Sequence, residues 1–189
     1  FEDTLVFETQ VLDPYGGAEL FVLPFEIPQD ENPGYYNFTV YVKLASTGIR
    51  VETLELSVKV EYYADFTISM ASDQSTGDPG FTHEFAVTIV NNANAAEEIS
   101  FVFEDIPSDW SYCILFNGNC LNTLNIAKGG SSSFTLEVTS PDYEPANVAG
   151  SYYTMIAKSS LNNNFEVHYD FKIITNPTYV FSVETHSDT

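Results

Sequence analysis

Apolar and polar residues alternate along most of this chain, and Phe, Tyr, Val, Ile and Thr fill the apolar positions. In the segment 82–91, for example, His83, Phe85, Val87 and Ile89 share one face, because the side chains of a strand alternate with period two. No stretch of ten residues has the apolar spacing of a helix together with a capping residue. Gly, Pro, Asn and Asp interrupt the alternating runs where turns are expected. The pattern therefore predicts an all-β protein.

The central stretch of the chain contains a set of strands spaced by 8 to 15 residues, with turn signals between them. This spacing is typical of an antiparallel β-sandwich in which each strand has one apolar and one polar face. Strands are predicted over 65–71, 82–91, 99–104, 111–116, 131–139, 151–159 and 165–174, with a weaker one over 121–126.

An internal repeat organises the chain. The segment GGAELFVLPFEIP, residues 16–28, matches GGSSSFTLEVTSP, residues 129–141, at a spacing of 113 residues. The segment 33–40 matches 149–156 with a shift of three more residues, and the spacing then returns to 113. A repeat of this kind indicates an array of similar units.

The repeat predicts the domain layout. Residues 1–63 would be the C-terminal part of one unit, 64–176 a complete unit, and 177–189 either the first strand of a third unit or a strand donated to a neighbour. The links between units are short, and they carry Tyr or Pro, which favours a stiff rod over a flexible string.

The stretch NNANAAEEISFVFEDIPSDW, residues 91–110, followed by 129–141 and by AGSYYTMIAKSS, residues 149–160, resembles a known family. It is similar to the immunoglobulin-like repeat found beside catalytic domains of secreted glycosidases and in tandem on archaeal and bacterial surface-layer and adhesin-like proteins. The resemblance implies tandem immunoglobulin-like antiparallel β-sandwiches on an extracellular protein, and it carries no catalytic residues to this chain.

The net charge of −21, from 27 acidic and 6 basic residues, changes the picture of possible partners. It argues against nucleic acid, whose phosphates are neutralised by Lys and Arg, and against an anionic membrane surface. An acidic exterior keeps a protein soluble, and acidic loops near strand ends could hold a hard cation such as calcium. Ordinary turn-forming acids explain the same positions, namely Asp13, Asp30, Glu31, Asp73, Asp78, Asp105, Asp109, Asp142 and Glu144.

Two cysteines, Cys113 and Cys120, flank Asn117-Gly118, the strongest short signal for a hairpin. We predict that a hairpin brings the sulfurs together in a disulfide, which would stabilise the fold by roughly 2–3 kcal/mol in the loop-entropy model. A disulfide implies an oxidising compartment, and Asn37 in Asn-Phe-Thr is a candidate glycosylation site that fits the same address. The sequence shows no transmembrane run, and its opening in mid-pattern without Met suggests an excerpt of a longer extracellular protein.

No motif of an enzyme is present. His83, His168 and His186 have no metal-ligand spacing, and Ser131-Ser132-Ser133 begins a predicted strand and is not a nucleophile turn. We expect no catalytic residues, no cofactor and no resident metal.

Three functions are consistent with the pattern. We favour a structural, cell-surface or fibre-forming segment that associates with neighbouring repeats or with itself, and the predicted strand 179–184 could join such subunits. The alternatives are an accessory module of a secreted enzyme that contacts carbohydrate, and an adhesin that binds a cell-surface partner through loop tips. The pairs Tyr35-Tyr36, Tyr62-Tyr63 and Tyr152-Tyr153 could stack on sugars, because alternation exposes one ring of each pair. Packing between neighbouring units explains the same rings, and we prefer that interpretation.

Overall fold

The computed structural model describes residue 22 and residues 26–179. The chain divides into two compact units, Phe1–Glu61 and Tyr62–Thr189. Several positions singled out in the sequence lie outside the described residues: Asp13, Phe21, His186, most of the repeat segment 16–28 and the strand predicted over 179–184 except Tyr179.

The described part of the first unit contains an antiparallel hairpin. Its strands are β1 (Gly34–Lys43) and β2 (Arg50–Val60), and Tyr36 pairs with Val58. The alternation places Tyr36, Phe38 and Val40 on one face of β1, opposite Val58, Leu56 and Leu54 of β2. The hairpin therefore has one apolar face, as the core-facing side of a sandwich does.

The second unit is a two-sheet sandwich in its described residues. Ten strands follow one another: β3 (Phe66–Met70), β4 (Gln74–Gly77), β5 (Thr82–Asn91), β6 (Glu97–Glu104), β7 (Ser111–Phe116), β8 (Asn119–Leu121), β9 (Thr123–Ile126), β10 (Ser131–Thr139), β11 (Asn147–Ser159) and β12 (Glu166–Thr175). One sheet has the order β3-β5-β10-β7-β8, and the other has the order β4-β12-β11-β6-β9.

This topology contains the constant-type immunoglobulin arrangement. Strands β3, β5, β10 and β7 take the places of A, B, E and D, while β6, β11 and β12 take those of C, F and G. Among the described strands of this unit, every pairing is antiparallel except that of β4 with β12. The all-β immunoglobulin-like sandwich that the sequence predicts is confirmed.

Two of the predicted strands differ from the structure, because the chain moves from one sheet to the other within or just after each of them. The first predicted strand ends at Met70, and the chain crosses at Ser72 to form β4, which pairs parallel with β12. The weak strand predicted over 121–126 divides at Asn122, so that β8 belongs to one sheet and β9 to the other. Four short strands thus form the sheet edges, which limits edge-to-edge association.

Aromatic side chains from both sheets form the centre of the core. Phe85 contacts Phe171 at 4.9 Å between ring centroids, Phe171 contacts Tyr153 at 5.8 Å, and Tyr153 contacts Trp110 at 5.5 Å. Phe85 and Phe171 are fully buried, and Tyr153 and Trp110 nearly so. This row explains why the strands that carry it keep strict alternation, since a slip of one residue would move its rings to the solvent face.

The two hairpins β1–β2 and β11–β12 share a register. Val58 pairs with Tyr36, and Phe171, which stands 113 residues after Val58, pairs with Tyr153. By this register, equivalent residues of β1 and β11 stand one residue further apart along the chain than the match of 33–40 with 149–156 predicts. A bulge in β11 between Asn147 and Ser151 accommodates the additional residue.

Gly150 lies in that bulge with a φ of +74°, and a Cβ there would lie 2.8 Å from Ile174 Cγ1. Gly118 has a φ of +78° but faces open space. We predict that Gly118→Ala costs about 1 kcal/mol from the left-handed backbone alone, while Gly150→Ala costs about 1–3 kcal/mol more from crowding. Urea unfolding of the two variants measures the difference, and equal costs would contradict the close packing of the bulge.

Candidate functional site

The site that stands out is the end of the sandwich where the chain enters the second unit. The turn between β5 and β6 is built on Asn91, whose side chain is completely buried. Its Nδ2 donates to the carbonyls of Ala95 at 2.9 Å, Ile126 at 3.0 Å and Ala127 at 3.2 Å. Its Oδ1 accepts from the Ala93 N–H at 2.9 Å. One side chain therefore ties the β5–β6 turn to the β9–β10 turn.

The same turn holds the incoming chain. The Tyr63 N–H donates to Asn94 Oδ1 at 3.0 Å, and the Asn92 N–H donates to the carbonyl of Asp65 at 2.8 Å. The Tyr63 hydroxyl donates to the Asn92 carbonyl at 3.1 Å. Ala64, between these anchors, is buried. The incoming link, residues 62–65, is thus fixed to the sandwich by backbone and side-chain hydrogen bonds.

A buried carboxyl group lies under this turn. Glu97 is 1% exposed; its Oε1 accepts from the Ser159 hydroxyl at 3.2 Å, and its Oε2 has no partner. The Tyr62 hydroxyl lies 3.4 Å from Ser159 Oγ, so it donates to an oxygen whose own proton is directed to Glu97. Burial raises the pKa of Glu97, and the bond from Ser159 opposes that shift without cancelling it. Relative to water, this burial shifts the balance from the carboxylate of Glu97 toward its neutral form.

The opposite end of the sandwich releases the chain. The Asn176 N–H donates to the Gly77 carbonyl at 2.9 Å, and Asn176 Nδ2 donates to Asp78 Oδ1 at 3.0 Å. Nearby in the fold, the Trp110 indole N–H donates to Glu144 Oε2 at 2.9 Å, as buried tryptophans usually require. The outgoing chain is therefore also fixed, by the loop between β4 and β5.

The acidic loop residues serve as hydrogen-bond acceptors. Asp78 and Glu144 accept from Asn176 and Trp110, and Asp109 accepts from the Tyr143 hydroxyl at 3.1 Å. Glu31, in the first unit, accepts from the Tyr36 hydroxyl at 2.6 Å. Within residues 22 and 26–179, no three His, Cys, Asp or Glu residues are grouped so as to hold a metal ion. The same residues include no helix that is long and apolar enough to cross a membrane.

The histidines occupy different environments. His83 is 1% exposed, its Nδ1 lies 3.0 Å from Ser75 Oγ, and its Nε2 is buried without a partner. Burial lowers the pKa of His83 and so favours the neutral ring at this place. His168 is exposed on β12 and lies 2.9 Å from Glu166, which also pairs with Lys158. The bonds from His168 and Lys158 lower the pKa of Glu166.

Cys113 and Cys120 form a disulfide with their Cα atoms 5.4 Å apart. It joins β7 to β8 across a turn in which Asn117 and Gly118 both have positive φ, 50° and 78°. This is the geometry of a two-residue type I′ hairpin, in agreement with the Asn-Gly signal. The disulfide closes a short loop at one edge of the sandwich.

Exposed side chains occupy the outer faces of the hairpins. Asn37 of the sequon is exposed on β1, so the structure leaves it accessible. The tyrosine pairs divide as alternation predicts: Tyr152 is 68% exposed, whereas Tyr153 is 6% exposed. Tyr35 is 71% exposed, and a lysine amine lies over each exposed ring, Lys59 at 6.0 Å from Tyr35 and Lys172 at 5.4 Å from Tyr152.

Comparisons with known proteins place this chain among remote structural neighbours only. No protein-family model matches it, and no curated protein matches it. A family 123 glycoside hydrolase from Clostridium perfringens has a TM-score of 0.48 and 10% identity over 60% of this chain and 28% of its own. A FixG-related protein from Vibrio parahaemolyticus has a TM-score of 0.44 and 12% identity over 59% of this chain and 95% of its own. The Escherichia coli chaperone DraB has a TM-score of 0.39 and 11% identity over 59% of this chain and 55% of its own.

Substitution of the buried carboxyl tests the site at the incoming end. Because the folded-state pKa of Glu97 lies above its ordinary value of 4.5, its contribution to stability is fully present below that value and is lost as pH rises through the folded pKa. Glu97→Gln should therefore leave stability unchanged in acid and raise it relative to the wild type at neutral pH.

The measurement is the urea midpoint of both proteins from acid to neutral pH. Glu98→Gln removes an exposed carboxyl from the next residue and is the matched control for the overall negative charge. A difference between Glu97→Gln and wild type that does not grow with pH would contradict the raised pKa of the buried carboxyl.

The disulfide has its own test. Unreduced protein should react with a thiol reagent at neither cysteine, even after unfolding in urea, and both should react after reduction. The double substitution Cys113→Ser with Cys120→Ser should lower the free energy of unfolding by about 2 kcal/mol, since the bond closes a short loop in the unfolded chain. Labelling of the unreduced, unfolded chain would show that the bond is absent.

Proposed function

We propose that this chain is a structural segment of an extracellular cell-surface or fibre-forming protein, in which the sandwich acts as a stiff, acidic spacer. The observation that carries the proposal is the fixing of the chain at both ends of the second unit. Asn92 and Asn94 hold the incoming link, and Asp78 with Gly77 holds the outgoing residue Asn176. A module that holds its incoming and outgoing links at opposite ends leaves no flexible linker there, and a chain of such modules is therefore stiff.

The repeat supports an array of such modules. The hairpins β1–β2 and β11–β12 share a register, and the same position of each carries an exposed tyrosine beside a lysine on the opposite strand. Neighbouring repeats of the same protein are accordingly the partners that we propose. The role is non-catalytic and needs no cofactor.

Two properties favour an extracellular address. The disulfide Cys113–Cys120 would persist in an oxidising compartment and is rare in the cytosol. The net charge of −21 keeps a surface array soluble and resists non-specific association between copies. A glycan on the accessible Asn37 would add to the same effect.

A second function, contact with carbohydrate as an accessory module or adhesin, is favoured by one observation. Tyr35 and Tyr152 present rings to solvent, and such rings can stack on sugars. A glycan array separates the alternatives: binding that disappears in Tyr152→Ala, and not in the control Tyr143→Ala, would establish the carbohydrate role. Tyr143 is the matched control because it is equally exposed, at 73%, on a loop.

Electron microscopy of the native material tests the spacer directly. We expect filaments or a sheet with a regular repeat, or stalks that project from a surface. Isolated globular particles with no extended assembly would contradict the structural role and favour the accessory module.

The stiffness has a specific prediction. Asn94→Ala removes the acceptor of the Tyr63 N–H, so the heteronuclear NOE values of residues 62–65 should fall toward those of a mobile loop. Asn163→Ala, at an exposed position in the turn between β11 and β12, is the control and should leave them unchanged. Unchanged values in Asn94→Ala would show that the link is held by other contacts.

A further inference from the structure

One side of the sandwich is open in its distal half, the half nearer the outgoing chain. Strand β9 pairs with β6 only over Glu97–Ser100, and β8 pairs with β7 only over Ile114–Phe116. Beyond these points, in the part of the chain that the structure describes, residues 102–104 of β6 and 111–113 of β7 have no strand on their outer side. Both sheets therefore present a bare edge at the same place.

The direction of the free backbone groups on β6 follows from one hydrogen bond. The Phe101 N–H donates outward to the Asn122 carbonyl at 3.2 Å. Backbone groups of a strand alternate in direction from residue to residue, and both groups of one residue point to the same side. Phe103 therefore directs its N–H and its C=O outward, where an added strand would pair with both.

A small slot lined mainly by apolar side chains lies beside this edge, between the two sheets. Its lining is formed by Phe101, Phe103, Tyr112, Ile114, Leu121 and the disulfide Cys113–Cys120, with Asn122 at the rim. The rings of Phe103 and Tyr112 are 4.5 Å apart and form one wall. The disulfide holds β8 against β7, so it fixes the wall where the covered half of the sandwich ends.

The charge around the slot defines what can occupy it. The stretch 98–127, which supplies every residue of the lining, contains no Lys, Arg or His. It carries Glu104 and Asp105 at the end of the bare edge, both exposed. The cation on the adjacent strand, Lys158, lies opposite Ser100 in the covered half and is paired with Glu166 at 2.9 Å. Acidic residues beside a slot with mainly apolar side chains are complementary to a basic segment with an apolar anchor.

From these observations we infer that the bare edge of β6 is a docking site for an extended peptide segment that adds as a short strand, inserts one aromatic or aliphatic side chain into the slot and carries Lys or Arg beside that anchor. Main-chain pairing with Phe103 supplies the orientation, the slot supplies the selectivity for the anchor, and Glu104 supplies the preference for a cation. The inference is independent of the spacer role, because it concerns one lateral edge and not the termini of the unit.

The test uses the full chain, labelled with ¹⁵N, and the peptide acetyl-Thr-Lys-Phe-Lys-Thr-amide, whose lysines flank the anchor and lie on the face of Glu104 when Phe shares the face of Phe103. A three-residue edge gives weak binding, with a dissociation constant on the order of 1 mM, so the peptide is added up to about 5 mM. We expect chemical-shift changes confined to the amides of 101–105 and 111–114. The peptide acetyl-Thr-Glu-Phe-Glu-Thr-amide, with the same anchor, should produce smaller changes.

Two variants of β6 make the test specific. Glu104→Lys reverses the charge beside the bare edge and should weaken the lysine peptide by about three-fold or more, the scale of an exposed ion pair. Glu98→Lys places the same change on the same face of the same strand, in the half that β9 covers, and should leave binding unaltered. Equal effects of the two variants would overturn the site on this edge.

Other outcomes also decide the inference. Absence of shifts at 101–105 with the lysine peptide would overturn it, and equal responses to the two peptides would overturn the basic occupant. Shifts of the same amides on dilution of the protein without peptide would replace that occupant with a second copy of this chain.

Discussion

The hydrogen bonds of the Asn91 carboxamide are the constraint on which the incoming end of the sandwich depends. A buried amide group is costly unless it is satisfied, and here every donor and acceptor of the side chain has a backbone partner. Because these partners lie on two different turns, the β5–β6 and β9–β10 connections cannot move independently. The turn so fixed then presents Asn92 and Asn94 to the incoming link. The position of the chain at this end therefore follows from one buried side chain.

Two other buried polar groups work in opposite directions. The raised pKa of Glu97 makes the fold less stable as pH rises, whereas the lowered pKa of His83 makes it less stable as pH falls below about 6.5, since the folded state binds the proton less well. Each group has one atom without a partner, Glu97 Oε2 and His83 Nε2. These unpartnered buried atoms destabilise the fold and lie at the two ends of the sandwich, whereas its centre, around Phe85 and Phe171, is apolar.

Much of the fold could be predicted because alternation is a local signal. The strands over 82–91, 111–116 and 131–139 begin and end in the structure where the pattern places them. The division at Asn122 could not be predicted, since a change of sheet keeps the same period of two. The strand β4 was missed because its polar sequence, Gln74 to Gly77, gives no apolar alternation, and its pairing with β12 depends on the rest of the fold.

The candidate site was predictable only in part. The Asn-rich turn is visible in the sequence, but which asparagine is buried and which one holds the link depends on contacts with residues 31 to 36 positions away. Alternation places Glu97 on the face of Ile99 and Phe101 and Glu98 on the other face, but it does not show how deeply the start of the strand is buried. The Tyr–Lys pairs of the two hairpins could not be predicted from the sequence, because they depend on the register between the two strands of each hairpin.

Amide hydrogen exchange of the native chain tests directly whether the incoming link is part of the sandwich. We expect the Tyr63 amide, bonded to Asn94, and the Asn92 amide, bonded to Asp65, to exchange slowly, with protection that approaches that of the adjoining strands β3 and β5. Exchange of both amides at the rate of an exposed loop, while β3 and β5 stay protected, would show that the link is free and would contradict the spacer.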